Sequence, residues 1–152
     1  MTGVVEQGGL SHTASAIVAV DARRAFAFLA DGISLGCWAL GSFDTVALAG
    51  GLFVGHSLFD GKALYIRINP DARKLVVIYE VGSRPDELSP RITAKVEPLE
   101  GVHSAAPRCR VSLTAGRAPE MTEERWRQLA IIHETEILLI KGQLEQPTRR
   151  AR

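Results

Sequence analysis

The chain of 152 residues lacks the features that define several special classes of protein. It has only two cysteines, Cys37 and Cys109, and they form neither a CxxC pair nor a spacing typical of metal ligands. Both lie among apolar residues, which predicts two buried, reduced thiols. The sequence therefore gives no support to a disulfide scaffold or a cysteine-based metal site.

An excess of charge of one sign is also missing. The 18 basic and 17 acidic residues leave a formal net charge of +1, so the composition gives no electrostatic reason to expect a nucleic-acid partner. The one basic cluster is a tail, residues 147–152, which contains Arg149, Arg150 and Arg152. Charges at a frayed chain end are usually solvated, so we expect no specific partner there.

Long apolar runs are missing as well. No segment reaches the roughly 18 consecutive apolar residues of a membrane-spanning helix, which predicts that the protein has no integral membrane segment. Residues 1–9 contain three glycines but neither a basic nor an apolar segment. We therefore predict a disordered N-terminus without a secretory signal, and a cytoplasmic location.

What is present is the composition of one ordinary globular domain. Hydrophobic residues make up 46% of the chain and charged residues 23%, and this length is typical of one domain with its own core. We place that domain at residues 10–146. The period of its hydrophobic residues divides it into three parts.

The first part predicts a strand followed by a short helix. Apolar residues alternate over residues 12–20, which is typical of a strand. Asp21 is a suitable N-cap for a helix over residues 22–29, and Asp31-Gly32 ends that helix. Residues 33–38 predict one or two further helical turns.

The middle part, residues 41–115, has a period of two and strong turn signals. The predicted strands are residues 42–49, 52–59, 62–69, 75–81, 91–97 and 108–115. Residues 82–90 and 98–107 are predicted loops, and the second contains His103. The turn signals have the spacing of a meander, and they are Gly50-Gly51, Asp60-Gly61 and Asn69-Pro70-Asp71.

The last part predicts a long amphipathic helix over residues 122–143. Thr122 is a suitable N-cap, and Glu123 and Glu124 place negative charge in the first turn. Lys141 and Gly142 lie near the other end. At about 100° per residue the helix has an apolar stripe that contains one histidine and comprises Trp126, Leu129, Ala130, His133, Ile137, Ile140 and Leu144.

This order of elements predicts an α+β fold in which six consecutive strands form an antiparallel sheet and the long helix packs across it. The passage from the first strand into the first helix has a distinctive pattern, Val20-Asp21-Ala22-Arg23-Arg24-Ala25-Phe26-Ala27-Phe28-Leu29-Ala30-Asp31, followed by Trp38. With this pattern and layout the chain resembles the START/SRPBCC superfamily, the helix-grip fold of the birch-pollen allergen family, over nearly its whole length.

The resemblance implies a seven-stranded antiparallel sheet wrapped around a long C-terminal helix, with two short helices between strands 1 and 2. It implies no single function, because the superfamily includes lipid and hormone carriers, polyketide cyclases, oxygenase domains and accessory proteins.

Counting from two-residue turns at Gly50-Gly51 and Asp60-Gly61, and from a pairing of Asn69 with Lys74, predicts which side chains face the helix. The count places Val46 opposite Gly55, Phe53 opposite Ile68 and Leu64 opposite Tyr79. The face toward the helix is then apolar except for Asp44, Ser57 and Tyr79, and the helix stripe adds His133. Unpaired buried polar groups cost about 1–3 kcal/mol each, so these groups must pair with one another, with water or with a ligand.

Gly55 leaves space in the middle of its strand, which suits a cavity better than a packed core. A mostly apolar pocket with a few convergent polar groups is typical of a small-molecule site. We therefore predict a ligand cavity lined by Asp44, Val46, Phe53, Gly55, Ser57, Leu64, Ile66, Tyr79, Trp126, Leu129, His133 and Ile137.

Each polar residue also has a purely structural explanation. A lone histidine such as His133 is typical of a satisfied core residue, Tyr79 can pack with its hydroxyl in water, and Asp44 and Ser57 can lie at exposed strand ends. The run from His133 to Glu136 begins like a zinc-binding helix but lacks the second histidine of that motif. With no glycine-rich phosphate loop either, we predict no metal and no cofactor.

Three functions remain open. The first is a carrier or sensor that binds a small hydrophobic or amphipathic ligand between sheet and helix, which the family resemblance implies and the predicted cavity supports. The second is an enzyme of the cyclase/dehydratase type, with His133 as general acid–base and Tyr79 or Asp44 orienting the substrate carbonyl. The third is a protein-interaction module with a filled core.

The sequence also predicts a homodimer. Ile131, Ile132, Leu138 and Leu139 lie on the flanks and back of the long helix, where a monomer is expected to be polar. The outer face of the sheet is also partly apolar. Contiguous exposed apolar patches usually mark a contact, and two-fold dimers are the commonest oligomer.

Overall fold

The structure, a computed structural model, describes residues 10–99 and 106–146. Its strands are β1 (Ser11–Val18), β2 (Phe43–Ala47), β3 (Leu52–His56), β4 (Ala63–Asp71), β5 (Val76–Gly82), β6 (Ser89–Leu99) and β7 (Arg108–Gly116). Its helices are α1 (Ala22–Ala30), α2 (Gly32–Leu35) and α3 (Glu123–Glu145), with a 3-10 turn at Ala49–Gly51. These strands form one antiparallel sheet in the order β1-β7-β6-β5-β4-β3-β2, which confirms the predicted α+β architecture. The predicted disordered N-terminus, the basic tail and His103 lie outside the described residues.

Two aspartates cap the short helices, as the sequence predicts. The Asp21 carboxylate accepts a hydrogen bond of 3.2 Å from the Arg23 N–H at the start of α1. Asp31 both ends α1 and starts α2, because its N–H donates to the Phe28 carbonyl while its carboxylate accepts from the Ile33 N–H. Cys37 follows α2 and is exposed, so the prediction of a buried thiol was wrong for Cys37 and right for Cys109. The shortness of α2 leaves Cys37 on a surface turn.

The hairpin of β2 and β3 has a different register from the predicted one. Val46 pairs with Val54 rather than with Gly55. The turn is a 3-10 turn closed by a 2.7 Å bond from the Leu48 N–H to the Leu52 carbonyl, not a two-residue turn. A change of register by one residue moves every side chain to the other face of the sheet. A bulge at Asp44, where φ is 55°, changes the register again toward Phe43.

The registers of β3, β4 and β5 also differ from the prediction, but by an even number of residues. Phe53 pairs with Ile66, and Ile68 pairs with Tyr79, because the first turn is centred one residue earlier than predicted and the second two residues later. An even change returns each side chain to the same face. Ile66 and Tyr79 are therefore buried on the face that the sequence predicted.

Helix α3 begins where the sequence predicts and runs slightly further. The Thr122 hydroxyl accepts a 3.1 Å hydrogen bond from the Arg125 N–H, which confirms the N-cap. The helix continues through Gly142 to Glu145. Its buried residues are His133, Glu136, Ile137, Ile140 and Leu144.

The placement of α3 on the sheet leaves an open interior. The helix lies mainly over β1 and β7, and α1 packs on β6 and β7 and less closely on β5 and β4. The part of the sheet formed by β4 and β5 is therefore covered only in part.

In the described part of the chain, no helix combines the length and the apolar character that a membrane span needs.

Candidate functional site

A cavity of about 630 Å³ lies between the sheet and the N-terminal half of α3. The sheet contributes apolar side chains such as Leu64, Ile66 and Val81. The segment after α2 contributes Trp38 and Ala39. The facing side of α3 contributes Arg125, Gln128, Leu129, Ile132, His133 and Glu136. An interior with a space of this size does not fit the hypothesis of a filled core.

Six of the twelve residues predicted for the cavity line it: Ser57, Leu64, Ile66, Tyr79, Leu129 and His133. His133 and Tyr79 thus share one cavity. The prediction was wrong for the other six, which do not line the cavity: Asp44, Val46, Phe53, Gly55, Trp126 and Ile137.

Asp44 and Val46 are on the wrong side of the sheet for the cavity. Both are exposed, and Val46 retains 53% of its accessible surface. The 3-10 turn and the bulge at Asp44 are the reason, because together they change which residues of β2 face inward. Thr45, which the prediction passed over, is the buried residue between them.

Phe53 and Gly55 face inward but belong to closely packed regions. The Phe53 ring lies directly against Gly32 of α2. A Cβ atom on Gly55 would lie 2.6 Å from the Ser42 hydroxyl oxygen and 2.9 Å from the Phe43 carbonyl oxygen. Gly55 therefore permits a close approach of neighbouring backbone and leaves no open space.

The two remaining corrections concern α3. Ile137 is 2% exposed and belongs to the packed core with Ile140 and Leu144. Trp126 is half-buried near the start of α3 but does not line the cavity. The apolar stripe thus faces core along its C-terminal half and cavity along part of its N-terminal half.

Both the hydroxyl and the ring of Tyr79 make contacts within the folded protein. Its hydroxyl donates a 2.6 Å hydrogen bond to the Leu29 carbonyl, and its ring meets the Trp38 ring edge to face with 6.0 Å between centroids. Burial, with a smaller effect from the Glu136 charge, raises the pKa of Tyr79 far above its usual value. Neither water nor a substrate is needed to satisfy this donor.

Glu136 is a residue of the site that the sequence analysis missed. It is 5% exposed, and its Oε2 atom accepts a 2.9 Å hydrogen bond from the Leu40 N–H. Burial raises the pKa of Glu136 to about 7, against a smaller opposing effect of the Leu40 hydrogen bond. The sequence did contain a signal, because Glu136 follows His133 by about one helical turn and therefore lies beside the apolar stripe.

His133 lies beside Glu136 and is equally enclosed. Its Nε2 atom is 4.0 Å from Glu136 Oε1, too far for a hydrogen bond. Burial, together with the nearby His12 charge, lowers the pKa of His133 to about 4, so the imidazole is neutral at neutral pH. The His12 ring lies 6.4 Å away on β1 and pairs with Glu134 at 3.1 Å.

The exposed end of the cavity lining is mostly basic. Lys62 and Arg125 are exposed there, and Arg91 is half-buried. Asp60 is the acidic residue at this opening. In residues 10–99 and 106–146, no group of three His, Cys, Asp or Glu side chains is placed to hold a metal ion.

Comparison with known proteins identifies the fold. No family model matches the sequence, and no curated protein matches it. A START superfamily protein from Mycobacterium smegmatis aligns with a TM-score of 0.64 at 12% identity, over 89% of this chain and 97% of that one. The 152-residue chain therefore has the START-like helix-grip fold.

Two further helix-grip structures have more specific names. The Zhui aromatase/cyclase from Streptomyces sp. R1128 aligns with a TM-score of 0.59 at 15% identity, over 90% of this chain and 93% of that one. The Aha1 dimer from Colwellia psychrerythraea aligns with a TM-score of 0.65 at 16% identity, over 90% and 96%. At these identities the likeness establishes a shared helix-grip fold and nothing about the ligand.

Proposed function

We propose that this protein is a carrier or sensor that binds a small amphipathic ligand in the cavity between the sheet and α3. The observation that carries the proposal is the cavity of about 630 Å³, whose apolar walls enclose a few buried polar groups. Small-molecule sites typically have volumes of about 300–1,000 Å³ and this kind of lining.

The opening of the cavity favours an amphipathic ligand over a purely hydrophobic one. Lys62, Arg91 and Arg125 outnumber Asp60 there. Among the described residues, Arg91 has no ion-pair partner. An acidic head group at the opening would meet these cations while the apolar body of the ligand fills the interior.

A fluorescent anionic amphiphile, 8-anilinonaphthalene-1-sulfonate, tests this proposal. We expect binding of micromolar class, about −8 kcal/mol, that competes with fatty acids. Leu129→Trp places a larger side chain on the helix wall and is expected to weaken binding about tenfold. Arg127→Trp, on the exposed side of the same helix, is the matched control. Equal binding by both variants would place the probe outside the cavity.

An enzyme of the cyclase/dehydratase type is the alternative, and the neighbouring positions of His133 and Glu136 in the cavity support it. The two residues that the sequence predicted to orient the substrate carbonyl are not available for it, because Asp44 is exposed and the Tyr79 hydroxyl already donates to the Leu29 carbonyl. Glu136 would take their role as the second proton-transfer group. Loss of water from an aromatic β-hydroxy thioester, abolished by His133→Gln, is the expected activity. If the folded protein does not dehydrate this substrate, the enzyme alternative is rejected and the carrier or sensor function remains.

We also propose that the protein forms a homodimer through the back of α3. Ile131 and Leu138 lie two turns apart on that side and retain 66% and 64% of their accessible surface. Ile132 and Leu139, by contrast, are half-buried against the cavity and the core. A protein of the same fold, Aha1 from Colwellia psychrerythraea, has a dimeric solution structure. An exposed apolar pair on a helix is best covered by the same pair of a second copy.

A further inference from the structure

Two polar atoms of buried side chains face each other at the inner end of the cavity without bonding. They are His133 Nε2 and Glu136 Oε1, which lie 4.0 Å apart on side chains that are 4% and 7% exposed. The other carboxylate oxygen of Glu136 is occupied by the Leu40 N–H. The other ring nitrogen of His133, Nδ1, is fully buried and has no hydrogen-bond partner among the described residues, so Nε2 is the nitrogen that a ligand in the cavity can reach.

Within the described residues, neither of these two atoms has a hydrogen-bond partner. Polar atoms of buried side chains are usually hydrogen-bonded to protein, water or a ligand, so a polar group that enters the cavity has both atoms available to it. The spacing between them suits one bridging atom. An oxygen about 2.8 Å from each would form an angle of about 90°, which a hydroxyl oxygen accommodates.

The geometry points to a hydroxyl group: we infer that the cavity binds an alcohol or a phenol whose oxygen lies between His133 Nε2 and Glu136 Oε1. The inference rests on the proposed ligand-binding function. It specifies the polar group that enters the interior first, whatever apolar body follows it.

A hydroxyl is the group that satisfies both atoms in either protonation state of Glu136. When Glu136 is ionised, the hydroxyl donates to Oε1 and accepts from Nε2–H. When Glu136 is protonated, the hydroxyl accepts from the carboxyl group and donates to the Nε2 lone pair, with the imidazole proton on Nδ1. A ligand carbonyl only accepts, so it requires both protein groups to donate.

Other ligand groups fit the inner end less well. A hydrocarbon leaves both atoms unpaired. A carboxylate meets Glu136, and the cations of the lining, Lys62, Arg91 and Arg125, lie at the opening instead. The titratable and charged groups around Glu136 are His133 on α3, Tyr79 on β5, His12 on β1 beyond His133, and Asp60 with those cations at the opening.

A matched series of three probes tests the inference: 2-naphthol, 2-acetylnaphthalene and 2-methylnaphthalene, with Kd measured by calorimetry. At pH 7 we expect 2-naphthol to bind about tenfold more tightly than 2-methylnaphthalene. Its Kd should stay constant from pH 6 to pH 8. The Kd of 2-acetylnaphthalene should rise about tenfold over the same range, because Glu136 loses its proton near pH 7.

The variants Glu136→Gln and Glu136→Met separate the hydroxyl contact from general packing. Glu136→Gln keeps both hydrogen-bonding positions, so the preference for 2-naphthol should persist and the pH dependence for 2-acetylnaphthalene should vanish. Glu136→Met should reduce the preference to about twofold. Equal Kd values for 2-naphthol and 2-methylnaphthalene with the unaltered protein would overturn the hydroxyl site and leave the binding function standing. No binding of any probe would overturn both.

Discussion

The Tyr79 hydroxyl donates a 2.6 Å hydrogen bond to the Leu29 carbonyl, which ties strand β5 to the last turn of α1. Carbonyl groups in the last turn of a helix have no partner within the helix. Leu29 is fully buried, so water does not replace this donor. The bond therefore serves the fold directly and holds the wall of the cavity in place.

We expect Tyr79→Phe to destabilise the protein by about 1–3 kcal/mol, because it leaves the Leu29 carbonyl buried and unpaired. Urea unfolding at pH 7 measures the change. Tyr65→Phe is the control, since Tyr65 is only half-buried. Equal stability of both variants would show that the Leu29 carbonyl finds another partner.

A second prediction concerns Gly55, which the sequence assigned to open space. Gly55→Ala is expected to destabilise the protein by about 1–3 kcal/mol, because the new Cβ would lie 2.6 Å from the Ser42 hydroxyl oxygen and 2.8 Å from the Ser42 carbonyl carbon. Gly41→Ala is the matched control, since nothing lies within 4 Å of its Cβ position. Thermal unfolding of the two variants compares them, and a Gly55→Ala protein as stable as Gly41→Ala contradicts the packing described.

The raised pKa of Glu136 predicts a dependence of stability on pH. The folded state holds a proton on Glu136 up to about pH 7, whereas the ordinary carboxyl value is 4.5. The folded state therefore binds more protons within this window, so the contribution of Glu136 to stability falls as pH rises through it. Relative to Glu136→Gln, the unaltered protein should lose on the order of 3 kcal/mol between pH 4.5 and pH 8.

Urea unfolding of both proteins at several pH values measures this difference. Taking the difference between the two proteins cancels the opposite contribution of His133, whose lowered pKa weakens the fold as pH falls from 6.5 toward 4. Parallel stability curves would mean that the Glu136 carboxyl titrates in the folded state as it does in the unfolded state.

The proposed dimer predicts a specific pattern of dissociation. Light scattering at low micromolar concentration should give the mass of two chains. Ile131→Glu with Leu138→Glu should reduce it to one chain, because four buried charges would face each other across the two-fold axis. Tyr65→Glu with Ile78→Glu, on the outer face of the sheet, is the matched pair and should leave the dimer intact. A mass of one chain for the unaltered protein rejects the dimer.

The local pattern of the sequence determines much of the architecture. The alternation of β1, the aspartates at the ends of α1, and the Thr122 cap each depend on residues close together in the chain. The burial of Ile66 and Tyr79 was also predictable, because a register change by an even number of residues leaves a side chain on the same face. The helix stripe placed His133 inside for the same kind of reason.

Only the tertiary structure decided which inward-facing residues meet empty space. The 3-10 turn and the bulge at Asp44 turned Val46 outward, and no count from a two-residue turn includes them. The space beside Gly55 is occupied by Ser42 and the adjoining backbone, which are distant from Gly55 in sequence. Glu136 lies beside the helix stripe, one turn after His133. Its burial depends on the Leu40 N–H, and that contact between residues 96 positions apart exists only after the chain has folded.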